Sequence, residues 1–135
     1  MALIEWTVDL NTNIASIDEQ HKKLISYINV LHEAMKMGKG QDVLGKVLNE
    51  LAAYTITHFS NEERLMTTCG FPGYAFHKKE HEGFAQKVLK LNDDFKCGKY
   101  LITVEVMQFL KDWLITHIRG TDQKYAPFLL GKGVS

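Results

Sequence analysis

The chain has 135 residues, 45% of them hydrophobic and 24% charged, which suits one compact domain with a buried core. Its 16 basic and 16 acidic residues balance and form no basic run, which excludes the charge footprint of a nucleic-acid or anionic-lipid binder. No apolar stretch approaches the roughly 20 residues that span a bilayer, and Met1-Ala2-Leu3-Ile4-Glu5-Trp6 lacks the charged start and apolar run of an export signal; the expected location is the cytoplasm, without membrane insertion.

Residues 1–15 read as an irregular N-terminal arm. The first helix is predicted from about Ile17 to Met37, because Ile17, His21, Leu24, Ile28, Leu31 and Met35 alternate at four- and three-residue spacing. Ser16 with Glu19 offers a capping box at its start, and Gly38 and Gly40 stop it. The second helix is predicted over residues 41–68, with Leu44, Leu48, Leu51, Thr55, His58, Glu62 and Leu65 on one stripe; Cys69-Gly70-Phe71-Pro72-Gly73 then breaks the chain. The third spans residues 74–97, with His77, His81, Phe84, Val88, Leu91 and Phe95 inward and Gly98 closing it. The fourth runs from about Thr103 to Arg119, with Met107, Leu110, Leu114 and His117 inward.

Residues 121–135, with Pro127, Gly131 and Gly133, read as an irregular tail. The expectation is therefore an all-α protein, a single up-down-up-down antiparallel four-helix bundle over residues 16–120 with crossings of about +20°. Cys69 and Cys97 fall at the ends of successive antiparallel helices. They are expected to be free thiols, since a bridge needs Cα atoms within about 7 Å.

Seven side chains on these helices are of metal-ligand type: His21, His58, Glu62, His77, His81, His117 and Asp122. His58 and Glu62, and likewise His77 and His81, are four residues apart, which stacks each pair on one helix face within reach of a common ion. Imidazole with carboxylate suits iron or zinc, whereas magnesium and calcium prefer oxygen alone. Six of the seven lie on stripes predicted to be buried. His21 is near the start of the first helix and His58 and Glu62 are late in the second. His77 and His81 are early in the third and His117 is late in the fourth, so alternation brings all of them to one end of the bundle.

Unpartnered burial of so many polar groups is costly, and metal coordination removes that cost. Asp122, five residues after His117, would point off the stripe in a regular helix. Gly120 between them offers a wide turn or π-bulge; without one, Asp122 would be a solvated helix-end carboxylate. His32 lies about 16 Å beyond His21 along the first helix and reads as non-ligating.

The H-x-x-x-E within His58-Phe59-Ser60-Asn61-Glu62-Glu63, the H-x-x-x-H of His77 and His81 and the H-x-x-x-x-D of His117 and Asp122 resemble the hemerythrin family, in particular its bacterial single-domain members. Ile17-Asp18-Glu19-Gln20-His21 and Trp6 are similar as well, so the likeness covers nearly the whole chain. The resemblance implies a non-haem centre of two iron ions (Fe2+/Fe3+) with an oxo or hydroxo bridge, binding O2 reversibly. One iron would take His77, His81 and His117 and the other His21 and His58, with Glu62 and Asp122 bridging. One coordination position would stay open, on the iron with two histidines.

Trp113, Leu114 and Ile118 match apolar positions beside the O2 site of the family, and serve equally as bundle core. Tyr125 matches a family position near the bridging aspartate, where it serves equally as a tail anchor. The function implied is oxygen storage or delivery to an oxygen-consuming enzyme as partner, by a monomer and not an enzyme. No signalling or membrane segment follows the fourth helix, which favours a mobile carrier. The alternatives on the same centre are a di-iron peroxidase or oxidase and an O2 or redox sensor. The absence of any E-x-x-H motif, typical of carboxylate-rich di-iron oxidases, weighs against the first.

Overall fold

The computed structural model describes residues 3–38, 41–98 and 104–134, with side chains described for all of these except 41–44 and 104–105. Helices α1 (Ala15–Lys36), α2 (Gln41–Cys69), α3 (Tyr74–Lys96) and α4 (Val104–Thr116) make up the bundle. The chain then runs on through a π-turn (His117–Thr121) into α5 (Asp122–Gly131), and a 3-10 turn (Val8–Leu10) precedes α1. Among the described residues there is no strand, and no helix is long and apolar enough to cross a membrane. The predicted all-α four-helix bundle is the observed architecture. Gly40 as a stop, the inward place of Leu44 and a helix start at Thr103 fall outside the described residues and side chains.

Where α1, α2 and α3 stop, a glycine takes the left-handed conformation that other residues resist: φ is 68° at Gly38, 71° at Gly70 and 73° at Gly98. After α2 the Phe71 N–H donates to the Met66 carbonyl at 2.9 Å, and both side chains join one apolar cluster. The start of α1 differs from expectation. It begins at Ala15 without a side-chain cap, so Ser16 sits inside the first turn and forms no capping box with Glu19. The local anchor is Asp18 instead, whose Oδ1 accepts from the Thr12 N–H (2.9 Å) and hydroxyl (2.8 Å).

The predicted stripes hold through the helix middles and drift by one residue near three ends; at the end of α1, Ala34 (8% exposed) is buried where Met35 was expected and is half-buried. Met66 (0% exposed) and Asn92 (5%) are buried where Leu65 and Leu91 were expected and are half-buried. A strict 3.5-residue pattern slips against a 3.6-residue helix, which accounts for the forward shifts in α2 and α3. Asn92 is paired through its Nδ2 to Asn49 Oδ1 at 3.2 Å.

The apolar interior is divided in two. A main core includes Leu24, Leu31, Leu48, Phe84, Leu110 and Ile118. A smaller one joins Ile14, Ile17, Met66, Tyr125, Ala126 and Leu129. Along each helix the boundary between them falls at the polar candidates: Ile17 and Leu24 bracket His21, and Phe59 and Met66 bracket Glu62.

The expected irregular tail is corrected by α5. Pro127 inside a helix costs about 3 kcal/mol, yet Tyr125 and Leu129 are 0% exposed and Ala126 3%. Burying Leu129 alone recovers roughly 1.5–3 kcal/mol, so burial against the small core outweighs the proline. The N-terminal arm is also docked: Ile4 exchanges two hydrogen bonds with the Asn29 amide, at 2.8 and 2.9 Å. Both cysteines are free, Cys69 half-buried at the end of α2 and Cys97 exposed beyond α3.

Candidate metal centre

All seven candidate side chains lie between the two cores at 0–3% exposure. Their donor atoms form two groups, each compact enough for one ion: Glu62, His77, His81, His117 and Asp122 in one, His21, His58 and Glu62 in the other. Glu62 belongs to both; its Oε1 lies 2.9 Å from His58 Nε2 and 3.4 Å from His81 Nε2. Asp122 also reaches both ways. Its Oδ1 is 2.9 Å from His77 Nε2 and 3.1 Å from His117 Nε2, while Oδ2 is 3.0 Å from His21 Nε2.

The π-turn makes this possible. The Asp122 N–H bonds to the His117 carbonyl five residues back, and the extra residue turns Asp122 onto the face that His117 occupies. Gly120 is not the reason. Its φ is not positive, and a Cβ there would meet nothing within 4 Å. The turn is clamped from α3: Glu80 Oε1 accepts from His117 Nδ1 at 3.0 Å and from the Thr121 hydroxyl at 2.9 Å.

The chemistry of the donors fits a metal. His81 Nδ1 lies 2.9 Å from Glu63 Oε2 and His117 Nδ1 3.0 Å from Glu80 Oε1. A carboxylate can only accept, so each imidazole carries a proton on Nδ1, which leaves Nε2 as the inward atom that an ion would take. Those two Nε2 atoms face each other at 3.0 Å, an arrangement that needs a proton or a cation between them. Both Asp122 oxygens, Glu62 Oε1, His77 Nε2 and both nitrogens of His21 are buried without a hydrogen-bond partner. They approach one another closely but aim past one another, as ligands around a common centre do. Orphaned buried donors and acceptors at this density are otherwise very costly.

Charge balance gives the same answer. Burial and the neighbouring Asp122 both oppose ionisation of Glu62, but His58 and His81 more than reverse this and hold it charged far below the usual carboxylate range. Asp122 is likewise buried, and His117, His21 and His77 keep its pKa well below normal. Burial alone would lower His117; the carboxylates of Asp122, Glu62 and Glu80 lift it to about 9. His21 is raised despite burial, chiefly by Asp122, whereas burial prevails at His58 and lowers it. Two buried carboxylates thus hold protons on imidazoles, and a metal ion would displace those protons.

Several participants have no signature of their own in the sequence. Gln20 accepts at His58 Nδ1 (2.7 Å), Glu63 serves His81 and Glu80 serves His117. Each neighbours one candidate ligand along the chain but reaches forward to the histidine of the next helix, and adjacency to a ligand is the only clue. Tyr125, on α5, donates a short hydrogen bond to Glu62 Oε2; burial, Glu62 and Asp122 push its phenol well above the ordinary value, so it stays a donor. Phe59 lies flat on His81 (3.8 Å, 1°) and Trp113 flat on His117 (4.5 Å, 14°). Leu114 and Ile118, at 2% and 0% exposure, belong to the main core. His32 is outside both donor groups.

Residues 12–129 match the Hemerythrin HHE cation binding domain, a domain that binds a non-haem iron centre. The chain is 41% identical to a bacteriohemerythrin of Stenotrophomonas maltophilia over 93% of its own length and 81% of the relative's. It is 34% identical to the bacteriohemerythrin of Methylococcus capsulatus over 96% and 98%. The crystal structure of a hemerythrin variant superposes with a TM-score of 0.91 at 33% identity, covering 96% of this chain and 98% of that one. The helical scaffold, the paired donor groups with a shared glutamate and these matches over nearly the full length together establish that the chain belongs to the hemerythrin family.

Proposed function

We propose that the chain binds O2 reversibly at a non-haem di-iron centre held by His21, His58, Glu62, His77, His81, His117 and Asp122, and so stores oxygen or delivers it to an oxygen-consuming enzyme. Hemerythrins are oxygen-binding proteins, not enzymes. The observation that carries the proposal is the pairing of two donor groups through shared carboxylates: Glu62 belongs to both, and the two oxygens of Asp122 face histidines of different groups.

The chemistry an iron pair supplies is reversible two-electron exchange with dioxygen. The protein's share is to hold, orient and protect. Five imidazoles and only two carboxylates form a donor set with little negative charge, which suits reversible binding better than aggressive oxidation. Outer carboxylates fix the tautomers of His81 and His117. Phe59 and Trp113 stack on those rings, and Leu114 and Ile118 continue the apolar surround that keeps water and stray protons away. A groove of about 390 Å³ is lined by Trp113, His117 and Glu80 on that side. The reading includes a cytoplasmic monomer.

The test is iron analysis followed by anaerobic reduction and addition of O2 under a visible spectrometer. Two irons per chain and a charge-transfer band that appears with O2 and vanishes on degassing are expected. A band that never reverses would overturn the carrier function.

A further inference from the structure

The two donor groups are supported unequally from outside. His81 and His117 each give Nδ1–H to a carboxylate, Glu63 and Glu80, at 2.9 and 3.0 Å, and each lies flat against an aromatic ring. In the other group His58 meets only the neutral amide oxygen of Gln20, itself engaged by Asn61 Nδ2 at 3.1 Å. His21 Nδ1 is buried with no partner at all, and its ring meets His58 edge-on. An anionic acceptor behind an imidazole fixes its tautomer and makes Nε2 a stronger donor. Flat stacking also removes a rotation that binding would otherwise have to freeze.

We infer that the centre fills in a fixed order: the position bounded by His77, His81 and His117 binds the first ion tightly, and the position bounded by His21 and His58 binds the second more weakly and exchangeably. The inference rests on the two-metal reading above. The second cation also enters beside the charge of the first, and no outer carboxylate contacts His21 or His58 to offset it.

Zn2+ titration of the metal-free protein tests this by calorimetry with a competing chelator and by imidazole nitrogen NMR, without recourse to O2 chemistry. Two resolved steps are expected, with the signals of His81 and His117 moving at one equivalent and those of His58 only at two. Glu63→Gln and Glu80→Gln keep an acceptor oxygen but remove its charge, and each is expected to weaken the first step about tenfold or more while leaving the second nearly unchanged. Gln20→Glu supplies the missing charge and is expected to tighten the second step. The melting curve of each metal-free variant separates these effects from misfolding, and the two independent glutamates allow the loss of one fold to be bypassed. Two ions bound with equal affinity, or outer-shell variants that weaken both steps alike, would overturn the order of filling alone. Binding of at most one ion would overturn the two-metal reading itself.

Discussion

The bundle body and its closed end are built on different rules. In the body, the main core follows from regular repetition: apolar side chains recur on one stripe of each helix and meet. At the closed end the useful geometry comes from a break in regularity, the π-turn, and from α5, whose small core holds it in place. Regular packing provides the stable frame, and a single surplus residue turns one carboxylate into that frame. Folding and binding should therefore be separable by mutation.

The strongest separation is expected on inserting one alanine after Gly120. With the turn kept as it is, the added residue would rotate Asp122 and everything after it by about 100°. Iron content should fall from two per chain to one or none, while the far-ultraviolet circular dichroism of the bundle persists. Retention of two irons would show that the spacing of Asp122 from His117 is dispensable. Next come paired truncations. Leu48→Ala, in the main core, and Leu129→Ala, in the small one, each remove a side chain that is 0% exposed, and both are expected to cost about 2–5 kcal/mol in denaturant unfolding. Only Leu129→Ala should also weaken iron retention, as judged by chelator-extraction rates.

Leu114→Ala should leave iron content intact and speed autoxidation several-fold by admitting water; an unchanged rate would deny Leu114 a gatekeeping part. A smaller effect is expected with pH in the metal-free protein. His117 has a folded pKa of about 9, above its unfolded value of about 6.5. Its stabilisation is therefore complete below about 6.5 and lost as pH rises through 9. His58, lowered by burial, acts in the opposite sense as pH falls below its unfolded value. The urea midpoint should thus decline on both sides of neutrality, and metal loading should flatten the alkaline limb. The smallest change is expected for Gly120→Ala: with room for a Cβ, iron content stays the same and stability rises by about 0.4–1 kcal/mol.

What the sequence makes legible follows the same division. Four stripes, three glycine stops and helix direction suffice for the bundle and for the meeting of His21, His58, Glu62, His77, His81 and His117 in one layer. Asp122 was readable only if a wide turn existed. Gly120 pointed to the right place for the wrong reason, because the clamp is Glu80 on another helix. The helical tail was missed because Pro127 and two glycines dominate local preference there, while the burial of Tyr125 and Leu129 is a tertiary effect invisible to spacing. Gln20, Glu63 and Glu80 act across helices, and no pattern within one helix announces them. The false capping box at Ser16 has the same origin: Asp18 and Thr12 satisfy the helix start through a contact outside the motif.

One further consequence comes from the two thiols. Cys69 is half-buried against the small core, while Cys97 stands exposed beyond α3. Neither is among the proposed ligands, so a maleimide dye would report on each end of the protein without competing for the ions. Cys97 should label at once and serve as the internal clock, and the lag at Cys69 measures how often the small core around it opens.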